Sequence, residues 1–139
     1  MNARDALIRH IKAIGLSPDQ PPLVSLEEFF DGNEDDASIG CNLVAHPGLQ
    51  RFYRMLKDIR SRPNVQDVLV EINEVEEQIP EMWPFSERVY VLTSASREQV
   101  AEWAAELQPD EIEDGFAFGK PPSAPTLEAG MNVYGLWWD

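Results

Sequence analysis

Cysteine is almost missing from this sequence of 139 residues, since Cys41 is the only one. A single thiol excludes an intramolecular disulfide framework, which agrees with a reducing compartment. Long hydrophobic runs are missing too: no apolar run approaches the roughly 20 residues that cross a bilayer, and the N-terminal segment has no uninterrupted apolar stretch like that of a secretory signal. We therefore expect a cytoplasmic chain that folds as one domain over residues 1–139.

Basic side chains are scarce, because 11 Lys and Arg face 25 Asp and Glu and the formal net charge is -14 at pH 7. Nucleic acids and anionic membranes are bound by Lys and Arg that neutralise phosphates, so neither is expected as a direct partner. Residues 1–62 carry 8 basic and 9 acidic side chains, whereas residues 63–139 carry 3 and 16. This charge serves either solubility or the recognition of a basic protein.

The sequence also lacks the motifs of common enzymes. It has no glycine-rich phosphate loop, no nucleophile elbow, no HExxH and no CxxC, and it has only two histidines. Cys41 and His46 are the only candidates for a thiol–imidazole pair, although a free cysteine is more typical of a small buried core residue. We predict no catalytic residue, no cofactor and no metal, and keep an enzyme as the less favoured alternative.

One acidic turn partly matches a calcium loop. Asp31, Asn33 and Asp35 occupy ligand positions 1, 3 and 5 of an EF-hand pattern. Position 6 is Asp36 instead of glycine, and position 12 is Asn42 instead of glutamate. The segment is therefore predicted to be a solvated acidic turn.

The most regular pattern runs from residue 88 to residue 107. Residues 89–92 form a short run of β-branched, aromatic and aliphatic side chains, which predicts a central strand covered on both faces. Ser96 then stands three residues before Gln99, which is the spacing of a capping box at a helix start. Apolar residues recur at helical spacing up to Leu107, and Pro109 ends the helix.

The whole chain predicts six elements from residue 38 onward: strand 38–44, helix 47–61, strand 67–75, strand 88–92, helix 97–107 and strand 131–138. This order is that of a ferredoxin-like split βαβ sandwich, an α+β fold with a four-stranded antiparallel sheet. Residues 1–37 would form a helical extension of an α+β core at 38–139, and residues 109–116 one more helical turn. One apolar sheet face would then need the extension or a second subunit to cover it.

Charges of opposite sign lie on the two predicted core helices. Three basic side chains between residues 51 and 57 share one flank of the first helix. Three glutamates stack at i, i+4 and i+8 on the second: Glu98, Glu102 and Glu106. If these side chains contact the basic flank, the pattern is structural, and if they face solvent they are a docking surface for a basic protein.

Two aromatic residues, Trp83 and Phe85, precede the central strand with a proline between them. Exposed aromatic side chains supply much of the affinity at protein interfaces. The segment is thus either a binding loop or a lid that folds over the edge of the sheet.

Three stretches carry a resemblance to known proteins: VSLEEFFDGN with SIGCNL, WPFSERVYVLTSASREQVAEWAAELQPDEI, and VYGLWWD. They are similar to a group of small, acidic, uncharacterised bacterial proteins, some of which resemble immunity proteins that neutralise toxins. The resemblance implies an inhibitor that binds another protein, and it implies nothing about catalysis.

The leading hypothesis is an intracellular protein-interaction module, with an immunity-type inhibitor as its specific form, whose acidic face binds a basic protein. One alternative is a small-ligand binder or enzyme with a pocket under the loops 79–87 and 119–130. The other is a homodimer joined through the uncovered sheet face.

Overall fold

The computed structural model describes residues 2–139 and shows an α+β fold. Its helices are α1 (Ala3–Ile14), α2 (Leu26–Phe30), α3 (Leu49–Arg60) and α4 (Arg97–Ala104), and short 3₁₀ turns lie at Asp36–Ser38 and Ala105–Leu107. Its strands are β1 (Leu23–Ser25), β2 (Val65–Glu71), β3 (Arg88–Thr93), β4 (Glu111–Asp114) and β5 (Asn132–Trp137). Within these described residues, no helix is both long and apolar enough to cross a membrane.

All five strands join in one antiparallel sheet, in the order β1-β2-β3-β5-β4. β3 is the middle strand and all 6 of its residues are buried, which confirms the predicted central strand. The capping box that begins α4 is confirmed as well, because the Ser96 hydroxyl accepts from the Gln99 amide and the Gln99 side chain accepts from the Ser96 amide, both at 3.2 Å.

Residues 38–44 do not form the predicted strand. Ile39 makes a single β-bridge, and the chain then turns at Gly40, whose φ of 63° suits glycine. A Cβ added to Gly40 would lie only 3.0 Å from the side chain of Leu43, so the turn is also tightly packed. The apolar alternation in this segment reflects a bend that buries Ile39 and leaves Cys41 exposed.

Two strands lie where the sequence predicted helix or extension. Residues 111–114 form β4 instead of a helical turn, because the Asp110 amide donates to the Trp137 carbonyl and the Gly115 amide to the Val133 carbonyl, both at 2.8 Å. β1 lies inside the predicted helical extension and pairs with β2. The sheet therefore has five strands and departs from the four-stranded ferredoxin-like order.

The helices cover one face of this sheet. Buried side chains from all four α-helices share one apolar cluster with the valines of β2 and β3 that point to the same side: Val68, Val70, Val89 and Val91. Trp138 closes the cluster after β5, where its indole Nε1 donates to the Leu107 carbonyl at 2.7 Å and its ring meets Phe52 edge to face. Most of the core thus lies between the sheet and the helices.

The chain's own loop between β4 and β5 covers the opposite face. This face carries a smaller buried cluster that consists of Leu23, Leu69, Tyr90, Leu92 and Val133. Phe116 and Ala124 of the loop pack against it. The N-terminal helix, which we expected here, packs on the other face instead, and the apolar cluster needs no second subunit to remove it from water.

An ion pair between α2 and α3 predicts one effect of pH on stability. Hydrogen bonds from Arg60 lower the pKa of Glu27 from 4.5 to about 2. Because the pKa is lower in the folded chain than in the unfolded chain, the stabilisation is complete above about pH 4.5 and is lost as the pH falls toward 2. The Glu27 side chain is 46% exposed, so solvent screening limits the contribution to about 1 kcal/mol or less.

Urea unfolding at a series of pH values checks this expectation. Glu27→Gln should be slightly less stable than the original chain at pH 6, and the difference should shrink steadily between about pH 4.5 and 2. A difference that stays constant across this range would contradict the assigned ion pair.

Candidate functional site

Of the three glutamates predicted to form a row, Glu98 and Glu102 lie in α4 and Glu106 lies in the 3₁₀ turn after it, and all three are exposed. Glu106 is bound by Arg51 of α3, whose Nε lies 3.1 Å from the carboxylate Oε2. Neither Glu98 nor Glu102 forms an ion pair with any side chain of residues 2–139. The structure therefore divides the row, because Glu106 joins two helices whereas Glu98 and Glu102 face solvent.

α4 and β4 are neighbours and together carry much of the negative charge. Residues 97–114 contain seven acidic side chains and one basic side chain. The basic residue, Arg97, joins the two elements, because its guanidinium donates to the Ile112 carbonyl and lies 3.9 Å from a carboxylate oxygen of Asp114. We define the acidic surface as five exposed carboxylates in this region: Glu98, Glu102, Asp110, Glu111 and Asp114.

β4 is an outer strand of the sheet and carries two residues of the acidic surface, Glu111 and Asp114. The Gly115 amide donates to the Val133 carbonyl of β5. In an antiparallel pair, the backbone N–H and C=O of every second residue point to the neighbouring strand, and those of the residues between point away from it. The backbone N–H and C=O of Ile112 and Asp114 therefore point away from β5. The bond from Arg97 to the Ile112 carbonyl agrees with this orientation.

Trp83 and Phe85 lie between β2 and β3 in a segment that closes over the helical core. Trp83 is 6% exposed and packs in the main apolar cluster. Its indole N–H is the one buried side-chain donor or acceptor of residues 2–139 that has no hydrogen-bond partner. Phe85 is half-buried, and its backbone exchanges 2.8 Å hydrogen bonds with Asn73 and Glu74. The segment is a lid, and Trp83 presents no exposed aromatic face to a partner.

Surface hollows adjoin both loops where a ligand pocket is predicted. One, of about 510 Å³, is bordered by Trp83, Arg4 and the carboxylates of Glu34, Asp35 and Glu81. The Arg4 guanidinium is already bonded to four main-chain carbonyls of residues 76–82, at 2.7–3.1 Å. Another, of about 450 Å³, is bordered mainly by apolar side chains such as Phe116, Leu127 and Met131. The first hollow is thus bordered mainly by polar side chains and the second mainly by apolar ones.

A buried polar network lies on the loop-covered face of the sheet. Arg88 of β3 donates to the Glu71 carboxylate of β2 at 2.9 Å and to the Glu113 carboxylate of β4 at 2.8 Å. The Tyr90 hydroxyl and the Asn73 amide also donate to Glu71, at 2.8 Å and 2.9 Å. Glu71 is 2% exposed and Arg88 is 7% exposed. These bonds connect three strands of the sheet through charged groups, of which Glu71 and Arg88 are buried.

The network changes the ionisation of its members. Burial opposes the charged form of Arg88, but hydrogen bonds and charges from Glu113 and Glu71 raise the pKa of Arg88 above its ordinary value. Burial, together with the negative charge of Glu71, raises the pKa of Tyr90 far above its usual range. Arg88 thus stays a cation and Tyr90 a neutral donor, so the network suits fixed positioning better than proton transfer.

The loop after β4 closes over this network. The Ala117 amide donates to the Tyr90 hydroxyl at 3.0 Å, and the Phe116 ring meets Tyr90 edge to face at 4.9 Å between centroids. Gly135 of β5 lies beneath the same side chains, and a Cβ at that position would come within 3.2 Å of the Tyr90 ring. Glycine at 135 therefore leaves room for Tyr90 and Arg88 to reach across β5.

Cys41 and His46 do not form a catalytic pair. Cys41 is exposed, which corrects the prediction of a buried core residue. His46 Nε2 lies 2.8 Å from the Ile39 carbonyl, and its Nδ1 accepts from the Gly48 amide at 2.9 Å. Both ring nitrogens therefore form hydrogen bonds with the backbone of the turn before α3.

The acidic turn that resembles a calcium loop uses its oxygens for its own backbone and for the lid. The Asp35 carboxylate accepts from the Ala37 amide and the Trp83 amide, each at 3.1 Å, and the side-chain Oδ1 of Asn33 accepts from the Asp35 amide at 2.9 Å. Within residues 2–139, no group of three or more His, Cys, Asp or Glu side chains is placed to hold a metal ion.

Comparison with known proteins gives the family. The model of the Uncharacterized protein YfbO family matches residues 2–136. The chain belongs to the YfbO family. It is similar to the "Uncharacterized protein YfbO" of Escherichia coli (strain K12), with 41% identity over 125 residues that cover 88% of this chain and 87% of that protein. No solved structure matches.

Sequence reasoning found the glutamate row of this YfbO family member but missed the buried network. Two signals were present: Arg88, a charged residue directly before a run of four apolar residues, and Gly135, a glycine inside a strand that is otherwise rich in large side chains. Neither signal names a partner, because the pairing of Arg88 with Glu71 and Glu113 depends on the strand register.

Proposed function

We propose that this YfbO family protein is an interaction module that binds a basic protein through the acidic surface, and that its specific form is an immunity-type inhibitor. The observation that carries the proposal is the placement of five exposed carboxylates on α4, on β4 and on the residue directly before β4, with Arg97 as the single basic residue among residues 97–114. Complementary charge of this kind accelerates association and selects partners.

The arrangement of charges favours recognition over solubility alone. Acidic side chains promote solubility anywhere on the surface, so solubility alone does not require a local cluster. Of the seven acidic residues at 97–114, Glu106, Glu113 and Asp114 each have an arginine partner, whereas within residues 2–139 no ion pair is formed by Glu98, Glu102, Asp110 or Glu111. The homodimer alternative loses its main support, since the chain's own loop covers the second sheet face.

Glu98→Gln/Glu102→Gln should weaken binding of the partner about 3–10-fold at about 0.05 M salt and reduce its salt dependence. The partner is first captured from lysate of the source organism on tagged protein, identified and purified. Its dissociation constant is then measured by calorimetry at several salt concentrations.

A matched variant, Asp19→Asn/Glu128→Gln, removes the same charge from exposed positions outside the acidic surface and should leave binding almost unchanged. Equal weakening by both variants would mean that net charge matters and the acidic surface does not. Capture of a partner that is insensitive to salt and to Glu98→Gln/Glu102→Gln would overturn the proposal.

A further inference from the structure

We propose that the outer edge of β4 binds an extended basic segment of the partner as a sixth strand of the sheet. This inference rests on the proposed function, because it specifies how the partner engages the acidic surface. Strand addition uses main-chain hydrogen bonds for affinity and side-chain charge for specificity. β4 offers the outward N–H and C=O groups of Ile112 and Asp114 for such bonds.

The two edges of the sheet differ in how they are protected. At β1, the outward amide of Leu23 donates to the Ser123 hydroxyl at 3.1 Å, and Pro21 and Pro22 precede the strand. At β4, Arg97 is the only side chain of residues 2–139 that forms a hydrogen bond with the outward N–H and C=O groups. Its side chain is 44% exposed and also lies near Asp114. Arg97 can move to Asp114 and free the Ile112 carbonyl without disturbing the ladder between β4 and β5.

Charge selects the occupant of this edge. A second copy of the chain would pair β4 with β4 and would place Glu111 and Asp114 beside acidic residues, which is unfavourable across strands. A segment with Lys or Arg at alternate positions would instead place cations on the face of β4 that carries Asp114, and its intervening residues would lie on the opposite face with Glu111. The competing explanation is that the charges merely prevent edge-to-edge association.

Two matched variants separate backbone pairing from charge. Asp114→Ala and Asp114→Pro remove the same carboxylate, but only the proline also removes the outward N–H, and it leaves the bonds to β5 in place. The probe is an acetylated and amidated octapeptide of alternating lysine and valine, whose dissociation constant is measured by fluorescence anisotropy. Asp114→Ala should weaken binding about 2–3-fold, and Asp114→Pro by a further fivefold or more.

The same octapeptide with every backbone amide N-methylated keeps its charges but cannot donate to a strand edge, so it should bind at least tenfold more weakly. Circular dichroism of both variants confirms that the fold is retained. Equal binding of the two peptides, equal effects of the two variants, or no binding of either peptide would each overturn strand addition. The proposed function is judged separately, by the response of the captured partner to Glu98→Gln/Glu102→Gln.

Discussion

Arg88→Met is expected to lower the free energy of unfolding by about 3 kcal/mol. Methionine keeps an apolar stem in the space of the arginine but removes the cation that Glu71 and Glu113 share. Glu71, which is 2% exposed, would then have only Tyr90 and Asn73 as donors. A buried carboxylate without its cation is costly because neither water nor protein compensates its charge. Urea unfolding followed by circular dichroism measures the loss.

The control for this prediction removes both charges. Glu71→Gln/Arg88→Met leaves an amide that still accepts from the Tyr90 hydroxyl and no longer buries an uncompensated charge, so the double variant should recover about half of the loss. If Arg88→Met cost less than about 1 kcal/mol, or if the double variant lost the full sum of the two single changes, the network would not be an electrostatically coupled unit.

The segment from β3 to α4 could be predicted from sequence because its signals are local. An apolar run of strand length, a serine followed three residues later by a glutamine, and helical spacing up to Leu107 all agree, and the structure follows them closely. Propensity, pattern and capping act within a few residues of one another here, so no distant contact is needed to decide the outcome.

β4 shows why other elements could not be predicted. The sequence Glu111-Ile112-Glu113-Asp114 has one apolar residue and a composition that is unfavourable for strands. It is extended because β5 supplies a ladder and because Glu113 reaches Arg88 of β3. The opposite error occurred at 38–44, where apolar alternation suggested a strand but the turn at Gly40 packs against Leu43. In both places tertiary contacts override the local pattern.

The candidate site divides in the same way. Spacing alone placed Glu98 and Glu102 on one side of a helix, since residues four apart share a face, and it left open whether that side faces solvent. It could not show that Arg97 would join that helix to a strand edge, because β4 itself was not foreseen. The segment that contains Trp83 could be either a binding loop or a lid on sequence grounds. Only the packing of the indole in the core decides between them.

Trp138→Ala is expected to cost about 3–5 kcal/mol of unfolding free energy, since it deletes a large buried side chain at the meeting point of three elements. The indole is 1% exposed, it packs edge to face on Phe52 of α3, and it donates to the Leu107 carbonyl at the end of the helical stretch that includes α4. Thermal unfolding followed by circular dichroism measures the effect.

Two variants show how the cost of losing Trp138 divides. Trp138→Phe retains an aromatic contact with Phe52 but leaves the buried Leu107 carbonyl without its donor, so its loss should be about 1–3 kcal/mol. Trp137→Ala truncates the neighbouring indole, which points to the other face of the sheet and is only half-buried, and it should cost at least about 1 kcal/mol less than Trp138→Ala. Equal losses at positions 137 and 138 would contradict the placement of Trp138 as the residue that joins α3, the 3₁₀ turn at Ala105–Leu107 and the end of β5. We therefore expect the free energy of unfolding to rise in the order Trp138→Ala, Trp138→Phe, original chain. Trp138→Phe loses mainly the hydrogen bond to Leu107, whereas Trp138→Ala loses this bond and most of the side-chain volume.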